Sequence, residues 1–129
     1  ELGKRLLTTA ADVMRTNDLP IIPQEMHLGE AIIRVSKGQL GLGVSLTDDH
    51  QVIGLITDGD IRRAMERWQA KFFDHTVSDI MTRTPKLVLP STKISEIQRI
   101  MNQHKIHTVL VVDEEKRLLG VVDHYACMV

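Results

Sequence analysis

One ten-residue segment, Gly54 to Arg63, concentrates side chains that could bind a small molecule. Thr57 follows a predicted strand that ends at Ile56 and stands three residues before Asp60, which is the spacing of a capped helix start. One interpretation is a capping box alone, because Thr and Asp are favoured at helix N-termini. The other is a ligand site, in which first-turn amides and the Thr57 hydroxyl favour a phosphate and the Asp60 carboxylate accepts from a ribose diol.

Three neighbours extend this candidate site. Gly59 adds a flexible backbone position, and Arg62 and Arg63 could contribute positive charge toward a phosphate. Arginines this close together on a short predicted helix are also typical of a solvated helix face.

Histidines, carboxylates and the single cysteine are the other residues that could bind a metal or take part in catalysis. His104 and His107 have a spacing that suits two metal ligands on one helix, but Ile106 and Thr108 indicate that the helix ends there, and no third ligand is evident. We therefore predict no metal site. No nucleophile–base pair or paired carboxylates stand out, and Cys127 has no general base beside it, so no catalytic residue is predicted.

Composition narrows the classes of partner. The 129 residues carry a net charge of −1 and only 3% aromatic residues, which argues against nucleic acid as a partner. No apolar run is long enough to cross a membrane, and a single cysteine excludes an intrachain disulfide. These features favour a cytoplasmic, folded protein.

The chain repeats itself at an offset of 66 residues. Gly54-Leu55-Ile56 aligns with Gly120-Val121-Val122, and the offset becomes 67 where Ala11 to Met14 aligns with Ser78 to Met81. A change of one residue within a loop is what a tandem duplication allows.

Each half predicts the same order of elements. A brief proline-flanked edge strand, an amphipathic helix, two strands joined by an acidic turn and a second helix follow one another. In the first half these are Leu19–Ile22, a helix through Leu28 and Val35, Leu42–Leu46, Val52–Ile56 and Asp60–Ala70. In the second half they are Leu87–Leu89, a helix capped by Ser91 or Thr92, Thr108–Val112, Leu118–Val122 and a short final helix.

The predicted fold is α/β (α+β), with two β-α-β-β-α repeats related by a pseudo-twofold axis and packed sheet to sheet. A unit of about 60 residues is marginally stable alone, so the halves must pack together. Clefts between such halves are where small ligands usually bind.

The duplication, the D-[VI]-M openings and the strand followed by G-h-h-T-x-x-D resemble a tandem pair of CBS domains. The resemblance implies CBS repeats over 8–72 and 73–129, and it implies that Thr57 contacts phosphate or ribose and Asp60 holds the ribose hydroxyls. His107 aligns with Gly41 before a core strand and is a candidate cleft residue, the alternative being an ordinary exposed loop residue. The candidate binding residues are Thr57, Asp58, Gly59, Asp60, Ile21, Ile22, Val44, Arg62 and His107.

Two further strings resemble bacterial sugar-phosphate isomerases of the arabinose 5-phosphate isomerase type. These are T-D-G-D-I-R-R at 57–63 and Leu2 to Leu7, which is similar to the end of the sugar isomerase (SIS) domain preceding the CBS pair. The resemblance implies a regulatory part, with residues 1–7 as the tail of an upstream SIS catalytic domain or a linker. It also implies a homodimer of CBS pairs within a homo-oligomer, no required cofactor and a nucleotide effector, CMP-Kdo or AMP/ATP. The alternative function is a ligand-independent oligomerisation module of the same enzyme.

The second half departs from the motif. By register Thr57 becomes Asp123 and Asp60 becomes Ala126, so a hydroxyl is replaced by a carboxylate and the ribose acceptor is lost. We therefore expect the second cleft to bind a nucleotide poorly or to be structural.

Overall fold

A computed structural model describes residues 6–128, in which a similar order of helices and strands occurs twice. The first set consists of α1 (Ala10–Val13), α2 (Leu28–Gly38), β1 (Leu42–Leu46), β2 (Val52–Thr57), α3 (Asp58–Trp68) and a 3₁₀ helix (Gln69–Asp74). The second set consists of α4 (Val77–Ile80), β3 (Leu87–Val88), α5 (Ile94–His104), β4 (Thr108–Val112), β5 (Leu118–Asp123) and a 3₁₀ helix (Tyr125–Met128). This mixture of helices and strands, with two sheets, confirms the predicted fold class. No helix in residues 6–128 is long and apolar enough to cross a membrane.

The chain divides into two compact units that exchange their opening segments. The central unit is Pro20–Thr84, and the terminal unit joins the described residues up to Leu19 to those from Pro85 onward. In the terminal unit Arg15 pairs with Val121, and in the central unit Thr82 pairs with Leu55 in the equivalent way. The first helix of each sequence repeat therefore lies in the unit that contains the strands of the other repeat. The boundaries of the repeats and of the units are thus different. The predicted upstream tail over 1–7 lies, up to Arg5, outside the described residues.

The central unit is built on β1 and β2, which pair antiparallel with Leu42 opposite Thr57. The predicted edge strand Leu19–Ile22 is reduced to a single parallel bridge between Ile21 and Val44. Pro20 and Pro23 explain this difference, because a proline has no N–H to donate to a neighbouring strand. The apolar face of α2 completes the core of this unit with the buried residues Leu28, Ala31 and Val35.

The terminal unit has a three-stranded sheet in the order β3-β4-β5. β4 and β5 pair antiparallel with Thr108 opposite Asp123, which is the β1–β2 register displaced by 66 residues. The core of this unit includes Ile94, Ile97 and Met101 from α5. The predicted cap of α5 by Ser91 or Thr92 is wrong: Lys93 is the N-cap and contributes no side-chain hydrogen bond. The Thr92 hydroxyl instead accepts from the amide of Leu89, at 3.1 Å, and closes the preceding turn.

The duplication extends to backbone details. Gln39 and Lys105 both adopt positive φ values after a helix, and the register irregularities after Ser45 and Val111 are equivalent. A Cβ on Gly54 would lie 2.6 Å from the Thr82 carbonyl oxygen, and a Cβ on Gly120 would lie 2.8 Å from that of Arg15. The glycine of each G-h-h string is therefore required by the segment that crosses over from the other repeat.

Candidate functional site

The junction between β2 and α3 is closed by a reciprocal pair of hydrogen bonds. Thr57 is extended, with φ of −117° and ψ of 168°, and its Oγ1 accepts from the amide of Asp60 at 3.2 Å. Asp60 Oδ2 in turn accepts from the amide of Thr57 at 2.9 Å. The predicted capping box is confirmed, and it fixes both side chains at the start of the helix.

The other oxygen of Asp60 binds Arg63, which was predicted to contribute positive charge toward a phosphate but not to pair with Asp60. Arg63 Nη2 donates to Asp60 Oδ1 at 2.7 Å, and the side chains of Arg63 and Asp60 are 63% and 18% exposed. The guanidinium also lies beside Gly59, where an added Cβ would be 3.2 Å from Arg63 Nη1. The spacing of three residues between Asp60 and Arg63 is the signal that could have identified this pair, since such residues are neighbours on a helix surface.

The first turn of α3 leaves one amide open. The amide of Asp58 donates to the carbonyl of Gly41 at 3.0 Å, and that of Asp60 donates to Thr57. The amide of Gly59 has no intrahelical acceptor at this position and makes no hydrogen bond to any described residue. It is therefore the donor of this turn that remains for a ligand.

Gly41, just before β1, lies beside the first turn of α3. Its φ is +69°, and a Cβ added there would come within 3.2 Å of Asp58 Oδ2. The carboxylate of Asp58 therefore folds over Gly41 on the exposed side of the junction. With Asp58 and Asp60 both in the first turn, an incoming ligand must bring hydroxyl or N–H donors, because a bare anion would be repelled.

Of the three apolar candidate binding residues, two lie in the core. Ile22 and Val44 are 1% and 0% exposed, and the amide of Ile22 donates to the Val44 carbonyl at 2.8 Å. Ile21 alone among the three reaches the surface, at 36% exposure, and its carbonyl receives only a long 3.4 Å bond from Arg34. Ile21 lies on one side of β1 and Thr57 on the other, where β2 pairs with it.

The last two predicted residues are separate from this cluster. Arg62 is exposed on α3 and makes no hydrogen bond or ion pair within the described part of the chain. His107 belongs to the terminal unit, where its carbonyl accepts from the amide of His124 at 2.7 Å and its ring meets the His124 ring edge to face, with centroids 6.1 Å apart.

The equivalent junction in the terminal unit keeps a cap but loses the acceptor. Asp123 Oδ1 accepts from the amide of Ala126 at 2.8 Å, which replaces the Thr57 hydroxyl. Ala126 offers no carboxylate, and Tyr125, at the position of Gly59, is 77% exposed. This junction is a helix start without the Asp60 and Arg63 chemistry.

Histidines and acidic residues do not gather into a metal site in residues 6–128, where no three His, Cys, Asp or Glu side chains are close enough to share an ion. His104 ends α5 and Lys105 adopts a left-handed conformation, so His107 is not on the same helix face as His104. A separate depression of about 500 Å³ lies on the terminal unit, lined mainly by Leu87, Leu89, Ile100 and Val112 with acidic neighbours, and shares no residue with the Thr57 junction.

Comparisons with known proteins agree with the repeat and the fold. Residues 10–67 and 77–127 match the CBS domain family. The chain is 34% identical over 121 residues to the arabinose 5-phosphate isomerase KpsF of Escherichia coli, covering 94% of the chain and 36% of that enzyme. It is 32% identical over 123 residues to the arabinose 5-phosphate isomerase KdsD of Pseudomonas aeruginosa, covering 95% of the chain and 37% of that enzyme. The chain therefore spans little more than a third of these relatives.

Solved structures show the same fold at lower identity. The CBS domain pair of protein MJ0100, in complex with 5′-methylthioadenosine and S-adenosyl-L-methionine, superposes with a TM-score of 0.84 at 22% identity, covering 95% of this chain and 94% of that one. CBSX2 in complex with AMP superposes with a TM-score of 0.79 at 20% identity, covering 93% and 92%. The predicted resemblance is confirmed at the level of family and fold.

Proposed function

Because the chain belongs to the CBS domain family and carries one copy of that domain in each repeat, we propose that it is a regulatory module that binds a nucleotide-bearing effector. The module would adjust an upstream SIS catalytic domain that interconverts D-ribulose 5-phosphate and D-arabinose 5-phosphate, as its isomerase relatives suggest. The observation that carries the proposal is the Thr57 junction, where the open amide of Gly59 shares a helix turn with the carboxylates of Asp58 and Asp60 and lies beside the guanidinium of Arg63.

The chemistry of this junction suits a ribose phosphate. The Asp60 and Asp58 carboxylates accept hydrogen bonds from the ribose hydroxyls, and the amide of Gly59 donates to a phosphate oxygen. Arg63, whose guanidinium lies beside Gly59, adds positive charge that offsets the two carboxylates near that phosphate, whereas Arg62 makes no hydrogen bond or ion pair with this cluster in the part of the chain that the structure describes. The N–H and C=O of Ile21 face away from β1, because the bridge to Val44 uses the amide of Ile22 and the carbonyl of Pro20, and we assign the Ile21 backbone to the base.

CMP-Kdo and the adenine nucleotides AMP and ATP are the candidate effectors. All contain a ribose and at least one phosphate, which the junction requires. Adenosine-containing ligands occupy two of the structural neighbours. CMP-Kdo is favoured by the resemblance to isomerases that supply sugar precursors for Kdo, since an end product that binds an early enzyme can regulate its own synthesis.

We propose at most one strong site per chain. In the terminal unit Ala126 cannot accept from a ribose hydroxyl, and Asp123 places a negative charge where Thr57 offers a hydroxyl. A ribose phosphate would lose its acceptor and meet electrostatic repulsion there.

A ligand-independent oligomerisation module is the second candidate, and exposed apolar side chains favour it. Ile33 and Phe73 of the central unit are 54% and 62% exposed, and the Phe73 ring lies against Gly29 of the helix that carries Ile33. Exposed side chains of this kind, if they form one patch, are typical of a protein interface. A homodimer could use this surface without any ligand.

Isothermal titration calorimetry of the chain with CMP-Kdo, CMP, AMP and ATP tests the sensing proposal. We expect one of them to bind at a stoichiometry of about one, and Asp60→Asn to weaken that binding about tenfold or more, because a hydrogen bond to a charged acceptor is lost. Asp48→Asn, in the β1–β2 turn, is the matched control and should leave the affinity unchanged. If a folded sample bound none of the four at millimolar concentration, the oligomerisation module would be the better account.

Regulation needs a second measurement on the full-length isomerase. An effector changes activity only if it binds two states of the enzyme with different affinity. Isomerase activity should therefore change on addition of the nucleotide that binds, and in Asp60→Asn the same response should need an effector concentration about tenfold higher or more.

A further inference from the structure

Asp60, the residue that should hold the ribose, has both of its oxygens occupied. Oδ2 belongs to the capping box with Thr57, and Oδ1 holds the guanidinium of Arg63 at 2.7 Å. Each carboxylate oxygen can accept a second hydrogen bond, but the Asp60 side chain is only 18% exposed, so a ribose diol that approaches it competes with Arg63 or with the cap. The cap is integral to the start of α3, whereas Arg63 is a long side chain that is 63% exposed.

We propose that Arg63 is a specificity-determining residue that competes with the ligand for Asp60 and then transfers its guanidinium to the ligand's phosphate. This inference rests on the proposed nucleotide site. A ligand with a ribose but no phosphate breaks the ion pair between Arg63 and Asp60 and offers the guanidinium no new partner. A nucleotide breaks the same ion pair, but its phosphate then binds the guanidinium. The exchange would make the site prefer nucleotides over nucleosides.

The position of the guanidinium makes this transfer short. Arg63 Nη1 lies 3.2 Å from the Cβ position of Gly59, whose amide is the open donor of the turn. A phosphate that accepts from this amide would lie next to the guanidinium, so rotation of one side chain suffices. A side chain at position 59 would obstruct this movement, and glycine is the residue that leaves it free.

Arg62 provides an internal comparison, because it has the same charge and a neighbouring position on α3 without a contact to Asp60. The second repeat provides another. The residues equivalent to Asp60 and Arg63 are Ala126 and Val129, so the carboxylate and its competing cation are both missing from that repeat.

The expected effects follow from the exposure of the ion pair. An exposed pair of this kind changes an equilibrium by about two- to fivefold, so Arg63→Gln should strengthen adenosine or cytidine binding by that factor. Binding of AMP or CMP should not gain, because the loss of a charge-assisted contact to phosphate, worth about tenfold, outweighs the loss of the competitor. The preference for nucleotide over nucleoside should therefore fall about tenfold.

Calorimetric titration of wild type, Arg63→Gln and Arg62→Gln with adenosine, AMP, cytidine, CMP and their 2′-deoxy forms tests the inference. Arg62→Gln should change the nucleotide preference by less than about twofold, and a 2′-deoxynucleoside, which lacks the diol, should gain nothing from Arg63→Gln. Trp68 is the only tryptophan, and its fluorescence verifies that each variant is folded.

Four results would overturn the inference in whole or in part. Nucleoside affinity that is unchanged in Arg63→Gln would show that Arg63 does not compete for Asp60. An equal fall in nucleotide preference in Arg62→Gln would mean that only net charge matters. If wild type bound nucleotides no more tightly than nucleosides, the transfer of the Arg63 guanidinium to phosphate would be refuted, but the proposed site would stand. If wild type bound none of the ligands, the proposed site and the role of Arg63 would be refuted together.

Discussion

Gly54 should be the least replaceable glycine of the central unit. In Gly54→Ala the new Cβ would lie 2.6 Å from the Thr82 carbonyl oxygen and 3.1 Å from Met81 Sδ, both in the segment that pairs with Leu55 of β2. Ordinary contact would need a shift of more than half an ångström in backbone that is held by two hydrogen bonds between Leu55 and Thr82, at 3.0 and 2.8 Å. Overpacking of a rigid site costs about 1–3 kcal/mol, and weakening these bonds adds about 1 kcal/mol. We therefore expect a loss of about 2–4 kcal/mol.

Gly29→Ala is the matched control, because its Cβ would also be crowded, at 2.9 Å from Phe73 Cδ1. The Phe73 ring is 62% exposed and can rotate away, and alanine is favoured over glycine within a helix by up to about 1 kcal/mol. Urea unfolding followed by Trp68 fluorescence should show a lower midpoint for Gly54→Ala and an unchanged or higher one for Gly29→Ala. A loss of similar size in both variants would refute the reasoning that the mobility of the contacted atoms decides the cost.

Three further predictions address the junction, acid stability and the terminal unit. Thr57→Val should lower the free energy of unfolding by about 1 kcal/mol, because the amide of Asp60 loses its acceptor; a change below about 0.3 kcal/mol in urea unfolding would contradict this. The backbone amide of Thr76, with a smaller contribution from His75, lowers the pKa of Asp79, so its contribution to stability is present above the carboxyl's unfolded pKa and lost as pH falls through the lowered value. The difference in melting temperature between wild type and Asp79→Asn should therefore shrink from pH 6 to pH 3, and a constant difference would count against it. Asp123→Ala should destabilise the chain by about 1 kcal/mol through loss of the cap on Ala126 without weakening nucleotide binding, which calorimetry on the same sample would check.

Local features of this chain could be predicted from sequence where the cause is local. The strands at Leu42–Leu46 and Thr108–Val112 have the predicted bounds because short apolar runs end at acidic turns. The capping box at Thr57 follows from residue type and spacing alone. The cap of α5 was mispredicted because Thr92 has a competing partner, the amide of Leu89, only three residues away.

Features that depend on distant residues could not be read from the same patterns. The pairing of Arg15 with Val121 joins residues more than a hundred positions apart, and nothing in the D-[VI]-M strings states which repeat they will contact. The burial of Ile22 and Val44 has the same origin, since an apolar residue in a ligand slot and one in a core look identical in sequence. The contact between Asp60 and Arg63 was missed for a different reason: a row of arginines on α3 is typical of a solvated face, and the three-residue spacing that makes Arg63 a neighbour of Asp60 was not used.

The two repeats differ where changes cost the fold little. Gly54 and Gly120 are the same residue in both because a crossing backbone leaves no room for a Cβ, and any replacement would disrupt the pairing beneath it. At the junctions, by contrast, Asp123 caps its helix as Thr57 does, so the fold tolerates either residue. Once the cap is secure, the position equivalent to Asp60 is free to lose its carboxylate, and the pair that would bind a ribose phosphate remains in one repeat only. Restoring a site in the terminal unit would therefore require the acceptor at position 126 as well as the hydroxyl at 123, since neither residue alone supplies both the neutral cap and the ribose contact.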